Sequence, residues 1–195
     1  MPAAIGYTVA MILPILSYGN EVLREKTRPV EGVTPGIQNL ARDMLETMYH
    51  AEGVGVASNQ VGRTESLCVV DVPGQAEKPG HRDANAAVQM PLVMINPEIT
   101  ATAGSQRNSE GCLSFPDVHV MITRPEEVTV AYTGLDGARQ TLTARGLLAR
   151  AIQHEVDHLN GVLLIDRMSP LQKIAVNGQL KRLLNKKKAT GSTHD

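Results

Sequence analysis

The stretch Gln153-His154-Glu155-Val156-Asp157-His158-Leu159 is the most informative in the chain, because it places two histidines four residues apart within an apolar pattern. Apolar residues recur there at helical spacing, which predicts a helix from Arg145 to Leu159. Residues four apart lie on one face of a helix, so His154 and His158 can bind one metal ion. Glu155 follows the first histidine, where a carboxylate can act as general base on a water beside that ion. The simpler alternative is two ordinary helix histidines.

A candidate third ligand lies in Glu110-Gly111-Cys112-Leu113-Ser114. A catalytic site keeps three protein ligands and one open position, and two histidines leave it one ligand short. Near a divalent ion the Cys112 thiol would be deprotonated. Cys112 follows a polar segment, Gly104 to Ser109, which we predict to be a loop. Cys68 lies in the apolar run Leu67-Cys68-Val69-Val70, and we expect it to be a small buried core residue.

The segment Gly53-Val54-Gly55-Val56-Ala57-Ser58-Asn59-Gln60 is a weaker signal. It lacks the third glycine of a dinucleotide-binding fingerprint, so we do not expect it to cradle a cofactor. By itself it predicts a helix end followed by a tight loop, although small residues let a substrate backbone approach closely. The remaining histidines have no ligand spacing, and we expect them on the surface or in packing contacts: His50, His81, His119 and His194.

The rest of the chain predicts a helix, several strands and two further helices, in that order. Residues 73 to 90 are rich in Gly, Pro, Asp and Asn, which is typical of a surface loop. This order favours an α+β fold, with mostly antiparallel sheets packed around the central metal-binding helix and a C-terminal helix. The predicted elements are a helix from Thr34-Pro35 to about His50, strands at Leu67 to Val72, Leu92 to Ile99 (bent near Pro97), Val118 to Ile122, Glu127 to Tyr132 and Arg139 to Thr143, and a last helix opening at Ser169-Pro170 with Gly178 inside it.

Length and composition narrow the class of protein. A chain of 195 residues that is 42% hydrophobic predicts a single domain, which we place at residues 11–195. Residues 1–10 carry no pattern, and we expect a disordered or non-native extension there. No apolar run reaches the roughly 18 residues that cross a membrane. One Phe, four Tyr and no Trp disfavour single-stranded nucleic-acid binding. Two cysteines are typical of a reducing compartment.

The charge is distributed unevenly. Residues 167–194 hold seven Lys or Arg and no Asp or Glu, so the first 166 residues carry 12 cations against 19 anions. The basic tail, residues 181–195, includes five cations within residues 181–188. A solvated helix end is one interpretation, since cations suit the negative end of the helix dipole. Contact with RNA phosphates is the other.

Taken together, three segments resemble the peptide deformylase family: a glycine-rich segment ending in Gln60, then Glu110 to Ser114, then Gln153 to Leu159. The second and third match the family pattern in full, and the first departs from it at Ser58. The similarity covers roughly residues 11–182. It implies a metal-dependent hydrolase of linear amides that removes the N-formyl group from formyl-methionine at the start of new peptides and releases formate.

The resemblance also implies a role for each site residue. Cys112, His154 and His158 would hold the metal, Gln60 and the Leu113 backbone N–H would stabilise the oxyanion, and Glu155 would transfer protons. Backbone around Val54, Gly55 and Gly111 would pair with the extended peptide. Val54 and Leu147 would line the methionine pocket.

Metal, partners and location follow from the same resemblance. It implies one divalent ion, Fe²⁺ in the cell, with Zn²⁺, Ni²⁺ or Co²⁺ in purified forms. The substrates would be nascent formyl-methionyl peptides in the bacterial cytoplasm, and in some members a C-terminal helix docks on ribosomal RNA.

Two alternatives stay open from the residues: a zinc endopeptidase, which usually has His or Glu as third ligand, and a metal-stabilised binding module, which would need a fourth protein ligand.

Overall fold

The computed structural model describes residues 10–73 and 85–190. The extension before residue 10, most of the predicted 73–90 loop, His81 and His194 lie outside the described residues. In chain order the elements are α1 (Pro35–His50), β1 (Gly55–Ala57), β2 (Leu67–Val70), β3 (Leu92–Ala103), β4 (Gln106–Glu110), β5 (Val120–Arg124), β6 (Glu127–Thr133), β7 (Arg139–Arg145), α2 (Gly146–Leu159), α3 (Pro170–Ala175) and α4 (Asn177–Thr190), with short 3-10 turns between some of them.

Two antiparallel sheets surround the central helix α2, which confirms the predicted α+β class. One sheet has the strand order β1-β2-β3-β6-β7, and the other is the hairpin β4-β5. The named strand pairs are all antiparallel. The predicted bend near Pro97 coincides with a shift in the β3–β6 register between Ile95 and Glu98.

Strand β2 shows why an unbroken apolar run forms a strand here. Its side chains alternate between the two faces of the sheet. Cys68 and Val70 pack into the cluster that contains α2, while Leu67 and Val69 pack into the cluster that contains α1. With a helix on each face, every residue of the strand is buried, so the usual apolar–polar alternation disappears.

Helix α1 begins and ends where the sequence predicts. The Thr34 side chain accepts a hydrogen bond from the Ile37 N–H, which satisfies one of the otherwise unpaired donors at the helix start. Helix α2 ends at Leu159, and Gly161 follows it with a φ of 72°. A Cβ at Gly161 would collide with the Arg24 carbonyl oxygen, so this turn requires glycine.

Three predictions of local structure are wrong. The predicted polar loop, Gly104 to Ser109, contains most of strand β4, which pairs with β5. The predicted tight loop after Gly53 contains strand β1 and a 3-10 turn at Ser58–Val61. The last helix is interrupted at Val176, ahead of Gly178, and forms α3 and α4. Strand β4 has no alternation of apolar and polar residues and is stabilised by pairing with β5. Such pairing cannot be predicted from the residue pattern of the segment itself.

A buried carboxylate, that of Glu110, joins the β4–β5 hairpin to α2. Arg124 on β5 donates to it through Nε (2.6 Å) and Nη2 (2.9 Å), and its Nη1 reaches Asp157 on α2 (2.8 Å). Arg150 on α2 donates to the same carboxylate. Burial alone would raise the pKa of Glu110, but the hydrogen bonds from His154 and Arg124 outweigh it and lower that pKa to about 2.

We expect Glu110→Gln to destabilise the protein by about 3–5 kcal/mol at neutral pH, because it leaves the buried Arg150 without its anion and removes one of the two anions that Arg124 contacts. The loss is measured as the free energy of unfolding in urea. Since the folded-state pKa of Glu110 lies below the unfolded value, its contribution is complete above about pH 4.3 and disappears as the pH falls toward 2. The difference between wild type and variant should therefore shrink over that range.

Glu127→Gln is the matched control. Glu127 pairs with Arg145 on the surface, where an ion pair contributes no more than about 1 kcal/mol. If Glu110→Gln and Glu127→Gln lowered the free energy of unfolding equally, the buried Glu110 carboxylate would stabilise the fold no more than a surface carboxylate does.

Candidate active site

Three candidate ligands meet between α2 and the segment after β4. One ligand atom from each of Cys112, His154 and His158 lies within 4.8 Å of the others. Cys112 Sγ is 3.2 Å from His158 Nε2, and the two imidazole rings are 5.0 Å apart. One thiol and two imidazoles in this arrangement suit a single divalent transition metal and leave room for a further ligand.

The surroundings orient one histidine and keep the other neutral. His154 Nδ1 lies 3.3 Å from Glu110 Oε2, which leaves its Nε2 for a metal ion. Burial, followed by the neighbouring His154, lowers the pKa of His158 well below its usual value. His158 therefore stays neutral, which is the form that binds a metal. By contrast, burial raises the pKa of the Cys68 thiol and keeps it protonated, as expected for a core residue.

Gln60 is oriented by its own turn. Its Oε1 accepts a hydrogen bond from the Ala57 N–H (2.9 Å), so its amide nitrogen must point the other way. That Nε2 donates to Ser114 Oγ (3.2 Å) and lies 3.5 Å from Cys112 Sγ. A fixed amide N–H beside the ligand cluster can stabilise negative charge developing on a substrate oxygen.

Glu155 faces the same space with a free oxygen. The residue is 3% exposed, and its Oε2 has no hydrogen-bond partner among the described residues. Burial raises the pKa of Glu155 to about 7, which suits a group that accepts and returns a proton near neutral pH. Gly55 permits this position, because a Cβ there would lie 2.9 Å from Glu155 Cδ and closer still to its Oε1.

A cleft of about 410 Å³ opens onto the cluster. Among the described residues strand β1 pairs with β2 and with no other strand, so it forms the edge of its sheet. An edge strand beside a cleft can accept an extended peptide through its backbone. His158 is buried and does not line the cleft. The other predicted site residues all line it: Val54, Gly55, Gln60, Gly111, Cys112, Leu113, Leu147, His154 and Glu155.

Several residues that support this site were not predicted from the sequence. The residue pattern assigns no role to Glu110, Arg124 or Arg150, which meet only because the β4–β5 hairpin folds over α2. His119, expected on the surface or in packing contacts, is exposed and lies at the cleft, against Gly111. Ser58, where the glycine-rich segment departs from the family pattern, turns its hydroxyl to the Glu65 carbonyl (2.5 Å).

The chain is similar to curated deformylases over almost its whole length. The polypeptide deformylase family model matches residues 12–174. The peptide deformylase of Salinibacter ruber is 42% identical over 176 residues, covering 90% of each chain. That of Syntrophobacter fumaroxidans is 43% identical over 173 residues, covering 89% of this chain and 96% of its own.

Solved structures agree with this similarity. The peptide deformylase of Legionella pneumophila superposes with a TM-score of 0.75 at 35% identity, covering 94% of this chain and 99% of its own. That of Synechococcus elongatus, solved with actinonin, superposes with a TM-score of 0.74 at 40% identity, covering 93% and 90%. With the family model, the relatives and the Cys-His-His cluster in agreement, the chain belongs to the polypeptide deformylase family.

Proposed function

We propose that the protein removes the N-formyl group from formyl-methionyl peptides by hydrolysis and releases formate. The observation that carries the proposal is the convergence of Cys112, His154 and His158 beside the buried carboxylate of Glu155, at the floor of an open cleft. An endopeptidase is disfavoured by the cysteine in the ligand set. A closed structural metal site is disfavoured because Cys68, the remaining cysteine, is buried and protonated.

Cys112, His154 and His158 would hold the metal ion. A divalent ion bound there supplies Lewis acidity, which lowers the pKa of a water molecule toward neutrality. We propose Fe²⁺ in the cell, with Zn²⁺, Ni²⁺ or Co²⁺ as substitutes, since imidazole and thiolate ligands accept each of them.

Hydrolysis needs the carbonyl oxygen stabilised and one proton moved. The Gln60 amide can donate to the formyl oxygen, and so can the Leu113 backbone N–H, which donates to no other described residue. Each such donor is typically worth about 2.7–4 kcal/mol of transition-state stabilisation. Glu155 accepts the proton of the attacking water and returns it to the leaving amine nitrogen as the carbon–nitrogen bond breaks.

The cleft walls can position the rest of the peptide. Gly55 lies on the free edge of β1, directly after Val54, and Gly111 also lines the cleft, so the backbone around these residues can pair with a peptide in an extended conformation. Leu147 and the side chain of Val54 offer apolar surface for the methionine. Val54 is 38% exposed, which leaves it accessible to a substrate.

Formate release from formyl-Met-Ala-Ser under anaerobic conditions tests the proposed function. We expect turnover in the metal-loaded protein, loss of turnover after chelation, and recovery when Fe²⁺ or Zn²⁺ is restored. Metal content is measured on the same samples by atomic emission. A protein that binds the metal but releases no formate would overturn the proposal.

The two cysteines provide a matched pair for that assay. Cys112→Ser should lose both metal and turnover, because a serine hydroxyl is a poor ligand for this class of metal. Cys68→Ala should keep the metal, since its side chain is a buried core contact. Equal metal content in the two variants would remove Cys112 from the ligand set.

We expect Glu155→Ala to keep the metal and lose about 10²–10⁴-fold in turnover, the usual contribution of a general acid–base group. Metal content and kcat are measured together. Glu46→Ala, on the exposed side of α1, is the control for a lost carboxylate and should behave as wild type. Loss of metal from Glu155→Ala would mean that Glu155 is a ligand, and an unchanged rate would exclude it as the proton carrier.

We also propose that the basic tail contacts the ribosome, where formylated peptides emerge in the bacterial cytoplasm. Helix α4 continues through residue 190, so the cations of residues 181–188 follow one another along a helix rather than a coil. The start of the tail also belongs to the body, because Leu183 is buried with Leu163 and Leu180. Removing residues 181–195 would therefore damage the core as well as the charge.

Charge substitution is the cleaner test of the tail. We expect the triple change Lys186→Gln, Lys187→Gln and Lys188→Gln to weaken co-sedimentation with ribosomes at low salt, because fewer phosphate contacts form. Hydrolysis of formyl-Met-Ala-Ser should not change. The control replaces three exposed cations elsewhere, Lys26, Arg28 and Arg107, with Gln. Equal co-sedimentation of the tail variant and wild type would leave the tail as a solvated helix end.

We propose that residues 1–10 are a dispensable extension of the catalytic domain at 11–195. The family model begins to match at residue 12. The Met11 backbone N–H donates to Asp43 Oδ1 (3.1 Å) and the Leu13 N–H to Thr47 Oγ1 (2.8 Å), so contacts with α1 hold the chain from this point onward.

No helix within the described ranges is long and apolar enough to span a bilayer.

A further inference from the structure

The 3-10 turn at Ser58–Val61 contains a buried amide that has no role in the proposed hydrolysis. Asn59 is 1% exposed and directly precedes Gln60. Its Nδ2 donates to the His158 carbonyl oxygen (2.5 Å) and lies 3.5 Å from the carbonyl oxygen of Leu23. Its Oδ1 has no hydrogen-bond partner among the described residues. The side chain therefore joins the turn to helix α2 through its donor alone.

The acceptor of this hydrogen bond lies in the last turn of α2, where carbonyl groups have no partner further along the helix. The His158 carbonyl accepts from the Gly161 N–H (2.9 Å), which belongs to the turn that follows α2, and from Asn59, which is distant in the chain. His158 is one of the three candidate metal ligands. The Asn59 amide thus connects the turn to the histidine side of the ligand cluster.

The next residue connects the same turn to the cysteine side. A 3-10 helix has three residues per turn, so successive side chains point about 120° apart. The Gln60 amide reaches Ser114 Oγ (3.2 Å) and lies 3.5 Å from Cys112 Sγ. Two adjacent amides therefore span the cluster, and the hydrogen bond of Asn59 constrains where the amide of Gln60 lies.

We infer that Asn59 is a positioning residue, which fixes the Gln60 amide relative to the metal ligands. The inference rests on the proposed function, because it takes Gln60 as a donor to the formyl oxygen. Such a donor has to lie about 2.7–3.1 Å from the oxygen on which charge develops. A displacement of about 1 Å at a reacting centre can cost about 100-fold in rate. Loss of the Asn59 amide releases the turn from α2 while leaving the Gln60 donor in the chain.

Hydrolysis of formyl-Met-Ala-Ser by metal-loaded Asn59→Ala tests the inference. We expect kcat to fall about 10- to 100-fold while KM changes by less than about twofold, because the impaired contact forms in the transition state. Metal content and the visible spectrum of the Co²⁺-loaded protein should match those of wild type, since the three ligands stay in place. Asn59→Ser, whose hydroxyl is too short to reach the carbonyl, gives the same test if Asn59→Ala fails to fold.

Thr27→Ala is the matched control. The buried Thr27 hydroxyl donates to the neighbouring carbonyl of the same helix end, that of Leu159 (3.0 Å), and Thr27 is not adjacent in the chain to any predicted site residue. This variant also loses a buried hydrogen bond to α2, and the free energy of unfolding in urea measures the loss in both proteins. We expect Thr27→Ala to keep the kcat of wild type.

Gln60→Ala shows whether Asn59 acts through Gln60. If it does, adding Asn59→Ala to Gln60→Ala lowers kcat no further, whereas independent effects multiply. The inference would be overturned, while the proposed function stands, by multiplied losses in the double variant, by an unchanged kcat or a loss of metal in Asn59→Ala, or by an equal loss of kcat in Thr27→Ala. Wild type that releases no formate would overturn both.

Discussion

The carboxylate of Glu110 is the contact on which the site depends. It receives hydrogen bonds from Arg124 and Arg150 and lies beside His154 Nδ1. These three partners belong to a strand of the hairpin and to the central helix, and Glu110 itself is two residues from Cys112. One buried anion therefore sets the distance between the cysteine and histidine sides of the metal cluster. Its own ionisation is maintained by its cationic partners, because an unpaired carboxylate at this depth would take up a proton.

The central helix is unusual because nearly its whole circumference is buried, including its polar residues. Burial of this kind is costly unless each polar group finds a partner. Most do: Gln153 donates to the Ala149 and Pro125 carbonyls, and Arg150 donates to three acceptors. Among the described residues, the buried side-chain atoms of α2 left without a partner are Arg150 Nε, Glu155 Oε2 and His158 Nδ1.

The same burial sets the chemistry of the site. Loss of water raises the pKa of Glu155 to about 7 and lowers that of His158, so one group can exchange protons near neutrality while the other stays a neutral ligand. A solvated helix with the identical sequence would have neither property. The sheets that pack against α2 on both sides also exclude water from it. The same packing that buries the helix therefore shifts the pKa values of Glu155 and His158.

The amino-acid sequence is sufficient to predict the elements with strong periodicity and the metal-binding chemistry that lies within one helical turn. Helices α1 and α2 begin and end as predicted, and two histidines four residues apart must share a helix face. Strands β1 and β4 were missed, because neither has an alternation of apolar and polar residues and each is stabilised by pairing with the strand that follows it. The contacts among Glu110, Arg124 and Arg150, and the position of His119 at the cleft, depend instead on tertiary packing. Contacts of this kind join residues up to 40 positions apart, and no local pattern records which of many buried charges will face each other once the sheets close around the helix.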